Sequence, residues 1–164
     1  MRPDGVRRVV MALALVGCGI AAYLAWFELG LSRSIWDPVF GSASSEAVLT
    51  SSLSRALPVP DAALGACAYA VEFALAAIGG PERWRERPWI VLVFGVLVAA
   101  LAVAAVALVL SQVLIVHAFC SLCLGSALIS FINTALAREE VFASVRVLQA
   151  DARRKHLSYE PDKT

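Results

Sequence analysis

Two cysteines, Cys120 and Cys123, are the residues of this 164-residue chain whose type and spacing could do chemistry. Two thiols three positions apart on one helical turn can close a disulfide or share a metal ion. A zinc site needs about four ligands, so the others would have to come from Cys18, Cys67 or His117. The pair could also be a chance one, since free cysteine packs like a small apolar residue. As a third interpretation, a dithiol near the oxidising side of a membrane could pass electrons from outside thiols to a lipid-soluble acceptor.

The composition indicates an integral membrane protein. Of the residues, 60% are hydrophobic and only 16% are charged, and the mean hydropathy is +0.76. Apolar runs near the length needed to cross a bilayer occupy residues 6–27, 62–79, 89–110 and 114–137. Because the last two runs together are too long for one crossing, we expect a turn near residues 111–116. The sequence therefore predicts an all-α fold: a four-helix transmembrane bundle over residues 1–137, then an amphipathic cytoplasmic helix in the tail, residues 138–164.

The basic residues orient these helices. All but two of the 14 Lys and Arg lie at the N-terminus, in the loop after the second span or in the tail, and only Arg33 and Arg55 lie in the first loop. By the positive-inside rule, both termini are expected in the cytoplasm, and the first loop and the turn before Cys120 on the outside. We therefore expect a multi-pass protein of the inner (cytoplasmic) membrane. The formal net charge of +1 gives no argument for a nucleic-acid partner.

The first span contains Gly17, Cys18 and Gly19. Residues 15–18 resemble a lipoprotein cleavage box, but the apolar run continues past Cys18, which favours an uncleaved helix. Cys18 is then a small packing residue, and the two glycines allow close helix contact.

The outer loop, residues 29–60, is interpreted as a lid over the outer end of the bundle, with a disordered connector as the alternative. Its Trp and Phe residues suit a membrane interface. Ser45 could cap a short helix whose Val48 and Leu49 point towards the bundle.

Two polar residues stand out within the spans. Glu72 falls near the middle of the second span, where a carboxylate is costly and suggests function. It could equally be a protonated or hydrogen-bonded side chain that seals helix packing against a polar partner. His117 is three residues before Cys120, hence expected on the same face, and could exchange a proton with the thiols. Its alternative is an interfacial histidine bonded to a carbonyl. Cys120, placed in the first two turns of the fourth helix, would gain thiolate character from the helix dipole.

The order of these features resembles the vitamin K epoxide reductase family. Four spans, a long outer loop between the first two, and Cys-x-x-Cys early in the fourth span are the shared pattern. Locally, residues 46–51 (EAVLTS) resemble the family segment after its second loop cysteine, and residues 60–65 (PDAALG) resemble the Pro-Asn-x-x-x-Gly entry to its second helix. The resemblance covers residues 9–137.

The resemblance implies a quinone as electron acceptor, ubiquinone or menaquinone, and a thioredoxin-like extracytoplasmic thiol protein as electron donor. It assigns the catalytic pair to Cys120, which meets the incoming thiol, and Cys123, whose thiolate faces the quinone. Ser51 and Asp61 match positions that help hold the quinone, although an Asp in place of Asn must be protonated to donate a hydrogen bond. Ala127 stands where relatives that reduce vitamin K often carry Tyr, so a bacterial quinone is expected rather than vitamin K epoxide. We predict no metal site.

One departure from the family pattern leaves the function open. The family relays electrons through two loop cysteines, but this chain has no cysteine between residues 29 and 60. Asp37, or Trp36 beside it, and Ser45 occupy the corresponding positions. Two hypotheses follow: a membrane quinone-linked thiol/disulfide oxidoreductase that an outside dithiol serves directly, or a non-catalytic protein of the same fold that binds quinone or lipid or scaffolds another membrane protein.

Overall fold

The computed structural model describes residues 3–51, 58–80 and 82–158, and 81% of the structure is helical. The described residues contain no strand. Arg55 and residues 159–164 of the tail lie outside the described residues. The helices are α1 (Pro3–Glu28), α2 (Ser42–Leu49), α3 (Asp61–Ala77), α4 (Arg83–Glu86), α5 (Pro88–Ser111) and α6 (Ser121–Ser158). The all-α prediction is confirmed for these residues.

Three stretches of the described chain are long and apolar enough to cross a membrane: Gly5–Glu28, Pro88–Val116 and Ser121–Arg153. With 17 residues, α3 extends about 25 Å, somewhat less than a hydrocarbon core of about 30 Å. The chain is therefore a multi-pass membrane protein, and the fourth crossing stays a prediction.

The long helices form a bundle in which α1 and α5 each pack against both α3 and α6. Consequently α3 and α6 face each other across the interior. Gly17 allows α1 to approach α3 closely, because a Cβ atom there would lie 2.7 Å from Cε1 of Tyr69. At Gly19 a Cβ would meet nothing within 4 Å. Close helix contact is thus confirmed for Gly17 but not for Gly19.

The turn before Cys120 lies later than predicted. After α5 ends at Ser111, the chain continues as one turn of π-helix, Gln112–Val116, and reverses only at His117, whose φ of 53° is left-handed. The predicted turn at residues 111–116 is wrong because this mostly apolar segment prolongs the helix. His117 therefore lies outside any helix, and the inference that it shares a helical face with Cys120 is wrong.

The last helix continues past Ala137 without a break. Its second half packs against α4 and α5, and Arg83 forms an ion pair with Glu140 there. The helix predicted in the tail is thus the continuation of α6. Its separation from the transmembrane domain at residue 137 stays a prediction.

The outer loop contains α2, which lies against the end of the bundle. Gly41 precedes this helix with φ at 81°, a conformation that glycine adopts readily. Ser45 lies within the helix rather than at its start, so its predicted capping role is wrong. Val48 and Leu49 are buried in one cluster with Leu24 and Cys120, which confirms their predicted direction.

Candidate functional site

The two cysteines of the motif meet at the start of α6. Cys120 directly precedes the first helical residue and is 0% exposed, whereas Cys123 is half-buried one turn later. Both are free thiols. The Cys123 N–H donates a hydrogen bond of 3.1 Å to the Cys120 sulfur, as a capping side chain accepts one. This contact favours negative charge on Cys120. The thiolate character predicted from the helix N-terminus thus arises at the capping position, just before the helix.

Gln112 fixes the backbone of Cys120. Its Oε1 accepts the Cys120 N–H at 3.0 Å, and the side chain is 1% exposed. The π-helical turn presents this side chain to the motif, and such turns are frequent at functional sites. Sequence reasoning missed Gln112, although an amide between two apolar runs was a signal that could have found it.

Asp37 joins the outer loop to the same helix end. Its carboxylate accepts hydrogen bonds of 2.7 Å from both the N–H and the hydroxyl of Ser121, and it also accepts the hydroxyl of Ser45. Burial acts to raise the pKa of Asp37, but the hydrogen bonds from these two serines and from two loop amides outweigh it and hold the pKa well below its usual range. The ionised side chain therefore caps α6.

Ser45 of α2 is a hydrogen-bonding neighbour of Cys120, and this contact acts to lower the pKa of the Cys120 thiol. The preceding Ser44 donates to the carbonyl of Phe119 at 2.7 Å and accepts the N–H of the same residue at 3.0 Å. Together these contacts place α2 over Cys120 and account for its complete burial.

The two loop positions singled out in the sequence are therefore bonded to each other. Asp37 is buried and pairs with Ser45, whereas Trp36 is 67% exposed. Asp37 and Trp36 were the two candidates for the position of the first loop cysteine. Asp37 is the one that faces both Ser45 and the cysteine motif.

The other predicted site residues surround the pair at varying distance. Asp61 begins α3, and its neighbour Ala62 packs in the same apolar cluster as Cys123. The Glu28 side chain of α1 accepts the N–H of Ala62 at 3.1 Å, which ties α1 to the start of α3. Ser51 is half-buried just after α2. His117 is exposed in the reversing turn.

Glu72 lies apart from the thiols, inside the bundle. Glu72 and Asn133 are both 0% exposed, and the Asn133 amide donates to Oε1 of Glu72 at 2.8 Å. One turn nearer the thiols, the Tyr69 hydroxyl lies 2.7 Å from both the Ser126 carbonyl and the Ser130 hydroxyl. The structure thus supplies the polar partner that the sequence interpretation required, and these contacts join α3 to α6.

The remaining cysteines do not join the pair. Cys18 approaches the carbonyl of Ala66 at 3.5 Å within the helix packing, and Cys67 is exposed on α3. Among the described residues, no three His, Cys, Asp or Glu side chains come together as metal ligands. A cavity of about 240 Å³ opens at the far end of the bundle, where Arg7 and Arg83 bind carbonyls at the end of α3. It contacts neither cysteine of the motif.

Comparison with protein families adds the decisive observation: a model of the vitamin K epoxide reductase family matches residues 8–137, which include both cysteines and the loop over them. The chain belongs to the vitamin K epoxide reductase family. A comparison with curated proteins finds no significant match. Membership of the vitamin K epoxide reductase family indicates a redox function in the membrane and quinone-linked chemistry in general.

Proposed function

We propose that this protein is a quinone-linked thiol/disulfide oxidoreductase, in which Cys120 and Cys123 pass two electrons from an extracytoplasmic thiol partner to a quinone. The observation that carries the proposal is the geometry of the pair. Two free thiols share the start of α6, and the N–H of one residue is bonded to the sulfur of the other. Such a pair can alternate between dithiol and disulfide with little movement of the helix.

The electron balance is complete with two partners. Oxidation of the pair forms one S–S bond and releases two electrons and two protons, which a bound quinone takes up to become a quinol. An outside dithiol then attacks the Cys120–Cys123 disulfide, and a second exchange leaves the pair reduced and the partner oxidised. Cys120 is the sulfur under the loop, so it is the one that an incoming thiol reaches once α2 moves aside.

The residues around Cys123 partly suit a quinone. Asp61 precedes Ala62, which packs in one cluster with Cys123, and in protonated form Asp61 would donate a hydrogen bond to a quinone oxygen. Ser51 at the end of the outer loop would be a second donor. The family resemblance implies that Cys123 carries the quinone-facing thiolate, whereas the hydrogen bond from its N–H favours charge on Cys120. The two assignments agree if the Cys123 proton passes to the neighbouring sulfur when the quinone is reduced.

A non-catalytic role is the second candidate function. The lack of cysteines in the outer loop favours it. Asp37 and Ser45 carry no thiol, so the relay that the family runs through loop cysteines has no counterpart here. In that case the fold binds quinone or lipid, or scaffolds another membrane protein.

The proposed orientation in the membrane follows from the distribution of the Lys and Arg residues. With nearly all basic residues on one side, both termini face the cytoplasm and the thiol pair faces the outside of the inner membrane. A thioredoxin-like extracytoplasmic protein is the proposed electron donor.

The test is quinone-dependent oxidation of the pair. The protein with Cys18 and Cys67 replaced by serine is reduced, placed in nanodiscs and incubated with a soluble ubiquinone or menaquinone analogue, and the remaining thiols are counted by maleimide labelling. We expect both thiols to disappear as quinol forms in equal amount. The Cys120→Ser and Cys123→Ser variants should form no quinol, whereas the background protein with its pair intact serves as the positive control. A pair that stays reduced in the presence of either quinone would contradict the enzyme and favour the scaffold.

A further inference from the structure

We propose that the cavity at the far end of the bundle binds the headgroup of an aminophospholipid, with Arg7 on the phosphate and Glu139 on the primary ammonium group. Both residues line this cavity, which has a volume of about 240 Å³ and contacts neither cysteine of the motif. The proposal is independent of the redox function, because its test involves neither a thiol nor a quinone.

The cavity lies at the depth where lipid headgroups meet the hydrocarbon core. Arg7 is in the first turn of the apolar stretch that begins at Gly5, and Phe94 is in the second turn of the one that begins at Pro88. At a rise of about 1.5 Å per residue, both lie within about 10 Å of the start of their helices. Trp84 also lines the cavity, and tryptophan is enriched at this depth. A phospholipid can therefore place its headgroup here and its acyl chains along the apolar helices.

The inner wall of the cavity is apolar and closely packed. Four of its residues belong to one buried cluster: Val10, Ala76, Phe94 and Ala137. The guanidinium of Arg83 completes this wall, because it lies 5.3 Å from the centre of the Phe94 ring and forms an ion pair with Glu140. Since these side chains hold one another in place, the cavity is a preformed space, as ligand sites usually are.

Two charged side chains of opposite sign remain available to a ligand. Arg7 donates from Nε and Nη2 to two carbonyls at the end of α3, both at 2.6 Å, and its Nη1 has no hydrogen-bond partner among the described residues. Glu139 is exposed and forms no ion pair within the described part of the chain. The other two charged residues of the cavity, Arg83 and Glu140, neutralise each other. The cavity thus presents one cation and one anion.

A phosphate ester with a primary ammonium group complements these two charges. An arginine N–H donates a charge-assisted hydrogen bond to a phosphate oxygen, and the Glu139 carboxylate can accept one from the ammonium group. A choline headgroup has no N–H to donate, and a glycerol headgroup has no positive charge. The volume is somewhat below the range of about 300–1,000 Å³ for drug-sized ligands, which suits a headgroup whose chains lie outside the cavity.

The test is the selectivity of lipid binding. Native mass spectrometry of the purified protein in detergent counts the lipids retained from an equimolar mixture of short-chain phosphatidylethanolamine, phosphatidylcholine and phosphatidylglycerol. We expect one phosphatidylethanolamine to be retained about threefold better than either of the others, which is the effect of one further ionic contact at a partly exposed site.

Glu139→Gln removes the anion and keeps the shape of the side chain, so it should abolish the preference for ethanolamine over choline. Its fold should be unaffected, because Glu139 is exposed. Glu86→Gln is the matched control, since Glu86 is also an exposed carboxylate at this end of the bundle but does not line the cavity. The control should keep the full preference.

A second pair of variants tests the location of the site. Ala143 lines the cavity and is half-buried, whereas Ala150 is exposed two turns later on the same helix and does not line it. Ala143→Leu should fill part of the cavity and reduce the retention of phosphatidylethanolamine to that of phosphatidylcholine. Ala150→Leu should leave the retention unchanged.

Equal retention of the three lipids by the wild type would overturn the proposal. A preference that Glu139→Gln retains, or that Glu86→Gln loses to the same extent, would do so as well. Glycerophosphoethanolamine, which is the same headgroup without acyl chains, serves as a competitor, and we expect it to leave the lipid bound at equal concentration. Displacement of the lipid by this compound would show that the site takes a soluble phosphate ester instead.

Discussion

Five hydrogen bonds converge on the carboxylate of Asp37, from its own loop, from α2 and from the start of α6. Each of these groups donates a hydrogen bond to the carboxylate, and donated hydrogen bonds favour the ionised form of the side chain. A residue that ties three segments together in its charged form makes the stability of the loop depend on pH.

The sign follows from the lowered pKa of Asp37. Its contribution is fully present above the usual Asp pKa near 3.9 and is lost as the pH falls below that value. We expect thermal unfolding of the purified protein to show a stability advantage of the wild type over Asp37→Asn near pH 6 that shrinks towards about pH 3. A constant difference between the two proteins over this range would contradict the prediction.

The contact between Ser45 and Cys120 can be tested by a covalent bond. In protein whose only native cysteine is Cys120, a Ser45→Cys variant should form a disulfide with it on mild oxidation, because the two side chains already touch. Loss of both labelled thiols reports the bond. Ala47→Cys is the control, since Ala47 lies on the same helix but is exposed. Equal cross-linking in both variants would place α2 differently.

Sequence reasoning reached the cysteines, Asp37 and Ser45 but not the bonds among them. The types and spacing of Cys120 and Cys123 are visible in the chain, and the family resemblance marked the two loop positions. That Asp37 reaches Ser121, 84 positions away, depends on where the turn before α6 falls. That turn was misplaced by several residues because an apolar segment does not reveal a π-helical extension.

At the scale of helices, the approach of α1 to α3 depends on one glycine. A side chain at position 17 would meet the ring of Tyr69 at 2.7 Å, and that ring carries a hydroxyl bonded to α6. We expect Gly17→Ala to destabilise the protein by about 1–3 kcal/mol, since the ring must shift to make room. Gly19→Ala should be neutral or stabilise by up to about 1 kcal/mol, because alanine is the better helix former and the space is open. Unfolding in detergent measures both, and equal effects would contradict this packing.

The hydrogen bond between Glu72 on α3 and Asn133 on α6 can be tested with a second pair of variants. Oε2 of Glu72 and Oδ1 of Asn133 are buried and have no partner among the described residues, beside the one hydrogen bond that joins the two side chains. In Glu72→Gln the new NH₂ group can donate to Oδ1, so we expect little loss of stability. Glu72→Leu leaves the Asn133 amide unpaired and should cost about 1–3 kcal/mol. A Gln variant as unstable as the Leu variant would show that the negative charge itself is required.

Periodicity and composition predicted these helices well, because long apolar runs leave few alternatives in a membrane. The pairing of Tyr69 and Glu72 with α6 was not predictable in the same way. It depends on which helices face each other across the interior, and apolar runs such as α5, without a distinct polar face, do not encode that arrangement.

For the whole molecule, the main expectation concerns its orientation. Two exposed positions are suited to single cysteines in a cysteine-free background. Ser34 lies in the outer loop, and Glu82 lies between α3 and α5. We expect a membrane-impermeant maleimide to label Ser34→Cys in spheroplasts and Glu82→Cys only after permeabilisation, as the distribution of basic residues requires. Labelling of both positions from the same side would remove the crossing assigned to α3.

In the described residues, the loop over Cys120 is held by hydrogen bonds and by apolar packing, and the four cysteines are free thiols. The outer loop, residues 29–60, contains no cysteine, so its own folding requires no disulfide bond. The chain can reach its final loop structure in a reducing cell-free synthesis supplied with lipid.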